Sequence, residues 1–129
     1  MTHALIVEDE LDLCRLLSLQ LKSLGISNEY VNTIKDAKLK ILENHYDLMF
    51  LDLNLADGSG FEVLSVVHDT KTNLSVVVVS AYDVERKKAL DLGAHFFIAK
   101  PFTKKNDRAS GSFDFRKIKL KFSFRLCLN

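Results

Sequence analysis

The chain has 129 residues, enough for one domain and too few for two ordinary ones. Its 47% apolar and 27% charged content is the mix of a soluble globular protein and excludes a low-complexity chain. The net charge of +1 conceals an asymmetry. Residues 1–100 hold 10 basic and 15 acidic side chains, a net of −5, whereas residues 101–129 hold 8 and 2, a net of +6.

The two cysteines, Cys14 and Cys127, lie far apart and form no metal-ligand spacing. Nothing suggests a disulfide framework, so a reducing, cytoplasmic setting is expected. Acidic residues follow the first apolar run at once, which is not the pattern of a signal peptide. No apolar stretch approaches the roughly 20 residues that span a bilayer.

Short apolar runs alternate with helical periodicity. Ala4–Val7 is a compact apolar strand that runs into Glu8 and Asp9. Asp12–Leu24 carries Leu13, Leu16, Leu17, Leu21 and Leu24 at helical spacing and stops at Gly25. Ile26–Val31 reads as a weak second strand. Thr33 is an N-cap for a helix through about Asn44, with Ile34, Ala37, Leu39, Ile41 and Leu42 as its apolar set. Leu48–Leu53 is a third strand and contains Asp52. Asp57-Gly58-Ser59-Gly60 is turn chemistry, and Phe61–His68 is a third helix. Leu74–Val79 is a strand buried on both faces. Val84–Leu92 is a short helix stopped by Gly93, and His95–Ala99 is a fifth strand before Lys100-Pro101. The alternation predicts an α/β fold with an open, doubly wound, five-stranded parallel sheet.

In such a sheet, ligands bind outside the carboxyl ends of the strands. Those ends carry Glu8 and Asp9, Asp52, Ser80, and Lys100. Three carboxylates repel one another unless a cation sits among them. Hard oxygen ligands fit Mg²⁺, which leaves coordination positions for phosphate oxygens. A lysine and a hydroxyl can hold the remaining oxygens, and an aspartate can itself be the nucleophile.

These residues, in this order, resemble the receiver domain of two-component response regulators, a flavodoxin-like fold, over about residues 4–102. The resemblance implies that Asp52 accepts a phosphoryl group, that Asp9 and Asp52 bind Mg²⁺ with the Asn54 carbonyl, and that Glu8 acts nearer or through water. It implies that Lys100 and Ser80 hold phosphoryl oxygens and that Ser80 and Phe97 switch together. Asp57-Gly58-Ser59-Gly60-Phe61 matches the loop before the third helix, and Lys100-Pro101-Phe102 matches the lysine and cis-proline turn. Ala56 departs from a common proline, and Phe97 carries no hydroxyl. The implied partners are a sensor histidine kinase or phosphotransfer protein, and a second copy through the fourth helix, fifth strand and fifth helix (α4-β5-α5). No membrane partner is implied, and without a reading motif direct nucleic-acid binding is not expected.

Plainer readings stand beside these. Asp52 can cap a strand, Lys100 can be a solvated lysine, Ser80 can terminate its strand, and Phe97 can be core. His3, His45, His68 and His95 read as structural or solvated, and Arg86-Lys87-Lys88 as an exposed helix face. An aspartate-nucleophile phosphohydrolase would use a similar strand-end Asp with Mg²⁺. Such enzymes present a second acid two residues later, where this chain has Asn54, and phosphomonoester turnover would discriminate. A receiver-like interaction module that does not use phosphate is a third reading.

Residues 103–129 break the pattern. From Ile118 to Leu128 every even residue is apolar, which is period two where the family has a fifth helix. A frame-shifted end, a truncated output domain and a fifth helix formed despite its pattern all fit, the first best. The last helix is therefore expected to be atypical or missing, and no full effector domain is expected after Phe102.

Overall fold

A computed structural model of the chain describes residues 2–70 and 73–100. Five strands form one parallel sheet: β1 (His3–Val7), β2 (Ser27–Val31), β3 (Leu48–Asp52), β4 (Ser75–Ser80) and β5 (Phe96–Ala99). Their order is β2-β1-β3-β4-β5. Helices α1 (Leu11–Ser23), α2 (Ile34–Glu43), α3 (Phe61–Thr70) and α4 (Arg86–Asp91) make the crossovers. The expected doubly wound α/β architecture is present. The turn chemistry between β3 and α3 becomes a small antiparallel ribbon pairing Asn54–Leu55 with Gly58–Ser59. The expected helix over Val84–Leu92 starts as a 3₁₀ turn, Asp83–Glu85, and becomes α-helical only at Arg86. Pro101 and the tail, with the cis-proline turn and the atypical or missing last helix expected there, lie outside the described residues.

All residues of β3 and β4 are buried, as continuous apolar runs in a covered parallel sheet require. Alternation divides them between two cores. Met49, Leu51, Val76 and Val78 point to the face covered by α2, α3 and α4. Leu48, Phe50, Val77 and Val79 point to the face that carries α1. Each such aliphatic side chain contributes roughly 1.5–3 kcal/mol of burial. Phe96 and Phe97 divide the same way: Phe97 packs on the first core and Phe96 on the second.

The helices bury narrower faces than their apolar sets suggest. In α1, Cys14, Leu17 and Leu21 are buried, whereas Leu13 and Leu16 are only partly covered. In α2, Ile34, Ala37 and Ile41 are buried, but Leu39 and Leu42 are exposed. The reason is geometric. Positions 34, 37 and 41 follow one helical stripe, and 39 and 42 fall on its flank and back.

Caps define the helix ends. Gly25 closes α1 with φ +78°. The Gly25 N–H donates to Lys22 O at 3.0 Å and the Ile26 N–H to Leu21 O at 2.9 Å, the paired bonds of a Schellman motif. Thr33 caps α2 as expected, accepting from the Asp36 N–H at 3.1 Å. A second cap comes from the loop after β3. The Asp57 carboxylate accepts from the Ile34 N–H at 2.9 and 3.0 Å and from the Lys35 N–H at 3.3 Å. An anion at this end also complements the helix dipole.

At its far end, the same loop is drawn against the phosphoacceptor candidate. The Gly60 N–H donates to Leu53 O at 2.8 Å, so its backbone lies directly on the end of β3. A Cβ at position 60 would collide with the Asp52 carbonyl and come within 2.8 Å of the Leu53 Cα.

Gly60→Ala should therefore cost about 1–3 kcal/mol in chemical denaturation, since only backbone can yield there; an unchanged midpoint would contradict the close approach. Asp57→Ala should lower the melting temperature, with a specific pH signature. The Ile34 N–H, the largest influence, holds the Asp57 carboxyl below its ordinary 3.8. A depressed folded-state value means that the cap's stabilisation is present above pH 3.8 and is lost as pH falls through the folded value. The difference between parent and Asp57→Ala in thermal scans should thus be constant near neutrality and shrink in acid.

Candidate functional site

The carboxyl edge of the sheet is where apolar runs give way to polar residues. β1 is followed by Glu8 and Asp9, β3 ends on Asp52, β4 ends on Ser80, and β5 is followed by Lys100. Register brings them to one level. Asp52 pairs with Val79, and Ser80 pairs with Ala99. The Lys100 N–H donates to Ser80 O at 2.8 Å, continuing the ladder by one step.

The charged groups meet there. Lys100 Nζ lies 2.9 Å from Glu8 Oε1 and 3.2 Å from Asp52 Oδ2. Glu8 and Asp52 are only 2% and 3% exposed. The remaining carboxylate oxygens also find donors. Glu8 Oε2 accepts from the Glu10 N–H at 3.0 Å, and Asp52 Oδ1 accepts from the Asn54 N–H at 3.0 Å. The backbone of Glu8 is anchored too, its carbonyl accepting from Asn32 Nδ2 at 2.8 Å and from Cys14 Sγ at 3.2 Å. Burial pushes the Glu8 carboxyl up to about 7, against the lowering influence of the Glu10 N–H and Lys100. Burial works to lower Lys100, but its hydrogen bond to Glu8 and the charge of Asp52 outweigh it and hold the ammonium above its ordinary value.

Asp9 joins this pair from the exposed side. Among the described residues, Glu8, Asp9 and Asp52 form a cluster whose oxygens lie within 4.8 Å of one another. Three carboxylates so placed are a donor set for a hard divalent cation.

Ser80, with no exposed surface, sits beside this cluster. Its hydroxyl accepts from the Tyr82 N–H at 3.0 Å and donates to Glu85 Oε1 at 2.5 Å. Asn54 Nδ2 donates to the same Glu85 oxygen at 3.2 Å and to Ser80 Oγ at 3.5 Å. Phe97 is half-buried beneath Arg86, whose guanidinium lies 4.7 Å from the ring centroid. Lys88 Nζ lies 4.3 Å from the Phe61 ring, so the exposed basic run of α4 also covers aromatic faces.

All seven residues singled out from the sequence lie on this edge or the strand beside it. Glu85 and Asp57 were not among them. Each acts through a partner on another element, and no local signal marks such a pairing. The histidines are in structural contacts: His3 bonds Ser27 and Glu29, His45 pairs with Asp47, and His95 Nδ1 accepts from the Val76 N–H. Cys14 is buried, and its thiol is pushed up to about 11, mainly by desolvation. Among the described residues no helix is long and apolar enough to cross a membrane.

Known proteins agree with this architecture. The family model of the response regulator receiver domain matches residues 4–109. The swarming motility regulation protein RssB of Serratia marcescens is 38% identical over 102 residues, covering 78% of this chain and 47% of the relative. The chain spans about half the length of the curated relatives it matches. The non-phosphorylated HemR receiver domain of Leptospira biflexa is 30% identical, with a TM-score of 0.76 over 94% of this chain and 92% of that one. The response regulator TrrA of Thermotoga maritima, solved in complex with Mg(2+)-BeF, is 26% identical, with a TM-score of 0.76 over 94% of this chain and 97% of that one. The strand order, the polar edge and the extent of these matches together establish that the chain belongs to the response regulator receiver domain family of two-component systems.

Proposed function

We propose that this chain is a Mg²⁺-dependent phosphorylation switch that takes a phosphoryl group from a histidine kinase or phosphotransfer protein onto Asp52. The observation that carries this reading is the convergence of Lys100 Nζ on Glu8 and Asp52, beside a third carboxylate, Asp9. The receiver unit covers residues 1–102 in this reading, and its setting is cytoplasmic. Its chemistry is self-directed, namely gain and loss of its own phosphoryl group.

The donor set suits Mg²⁺ because it consists of hard oxygens with one exposed side. Asp9, Asp52 and the Asn54 carbonyl would hold the ion, with Glu8 behind them, and the ion would neutralise phosphate oxygens. A carboxylate oxygen of Asp52 forms the new O–P bond. The donor's P–N or P–O bond breaks, and the electron pair leaves with the donor. Lys100, held by Glu8, is poised to pair with a phosphoryl oxygen. Ser80 and Asn54 supply donors on the other side, and Ser80 and Phe97 would relay the change to the α4–β5 surface, where a second copy could dock.

Incubation with acetyl phosphate and Mg²⁺ should add one phosphate, visible by mass spectrometry, and Asp52→Asn should abolish it. Persistent labelling of the Asn variant would sink the assignment. Lys100→Ala should slow labelling by about 10²-fold, the scale of one charge-stabilising donor. The same variant should bind Mg²⁺ more tightly in calorimetry, because Lys100 no longer competes for the Glu8 and Asp52 carboxylates. Weaker Mg²⁺ binding would contradict that competition.

A further inference from the structure

The 3₁₀ turn after β4 carries a carboxylate that the phosphorylation chemistry does not require. Glu85 reaches back and accepts two hydrogen bonds on one oxygen, from Ser80 Oγ at 2.5 Å and Asn54 Nδ2 at 3.2 Å. A serine hydroxyl has a single proton to donate, and here it is directed to Glu85. The contact is a charge-assisted hydrogen bond, the stronger kind. It forms beside Asp52, whose Oδ1 is tied to the N–H of the same Asn54.

A carboxylate and a phosphoryl group are alike in what they ask of their surroundings. Both are anionic, and both are pure acceptors near neutral pH. Glu85 thus holds the donors that a phosphoryl group on Asp52 would use, and its charge opposes the approach of another anion. The segment that bears it is solvated: its own ion pair, Arg86 Nε to Asp83 Oδ1 at 3.0 Å, lies on the exposed side of the turn. The turn Asp83–Glu85 has no side-chain cap, and Val84 at its centre is 90% exposed. The site side is fixed, since Ser80 is buried in a central strand.

We infer that Glu85 is an internal gate: it occupies the Ser80 hydroxyl and the Asn54 amide in the unphosphorylated chain, and the incoming phosphoryl group must displace it. The gate rests on the phosphoacceptor reading of Asp52. The gated step forms the Asp52 O–P bond and breaks the donor's P–O bond, acetate leaving with the electron pair when acetyl phosphate is the donor. Glu85 takes no part in the bond changes; it sets how often the two donors are free.

The full chain with Mg²⁺ and acetyl phosphate tests this by initial labelling rates. Glu85→Ala should label about tenfold faster than the parent, the factor expected for loss of one competing charge-assisted hydrogen bond. Asp83→Asn removes an equal charge from the same turn without touching Ser80, and it should stay within about twofold of the parent. Equal rates for the parent and Glu85→Ala would overturn the gate, as would a gain in Asp83→Asn as large as that in Glu85→Ala. A parent chain that never labels would overturn the phosphoacceptor reading and the gate with it.

Discussion

Two carboxylates almost without solvent contact lie at the ends of neighbouring strands, and the rest of the site depends on how that charge is managed. Moving a carboxylate out of water costs several kcal/mol even after the protein relaxes. Glu8 and Asp52 are offset by one ammonium, Lys100, delivered from β5 on the far side of β4. Backbone N–H groups satisfy the oxygens that Lys100 does not reach. Even so, burial pushes the Glu8 carboxyl up to about 7. The edge is therefore electrostatically unfinished, with more negative charge than one lysine can balance and an exposed carboxylate, Asp9, at its mouth. That imbalance makes the edge receptive to a divalent cation.

The fold holds this arrangement in place from both sides. β3 and β4, buried throughout, cannot slide by one residue without turning Met49, Leu51 and their neighbours to the wrong core. The loop that leaves Asp52 is clamped twice. Gly60 lies on the backbone of Asp52 and Leu53, and Asp57 reaches over to the start of α2. Asn54, just ahead of these clamps, is presented to both Asp52 and Ser80. On the other side the α4 turn is solvated, and it carries Glu85 and Arg86 against Ser80 and Phe97. A rigid charge cluster facing a solvated turn is a suitable arrangement for converting a change in charge into a change in surface.

Much of this was legible from residue order. Apolar runs ending in Glu8-Asp9, Asp52, Ser80 and Lys100 mark strand ends directly, because a polar side chain in the middle of a covered sheet would lack partners, whereas at the sheet's edge it finds them. Thr33 as the α2 cap and Gly25 as the α1 stop are local signals and were read as such. The parity of Phe96 and Phe97 follows from the two-residue repeat of a strand. Leu39 and Leu42, counted in the apolar set of α2, are exposed because they fall off the stripe that Ile34, Ala37 and Ile41 turn to the sheet.

The sequence by itself thus determined the element types, the alternation that makes a parallel sheet, and the set of residues available at its carboxyl edge. Backbone propensity and burial act over a few residues, and their signature stays in the local order. Only the tertiary structure decided which members of that set touch. The sharing of Lys100 between Glu8 and Asp52 depends on the order β1-β3-β4-β5. The capture of Ser80 by Glu85, and of the α2 terminus by Asp57, depends on side chains reaching across turns from other elements. Those pairings are decided by three-dimensional proximity and by the cost of leaving a buried charge or donor alone.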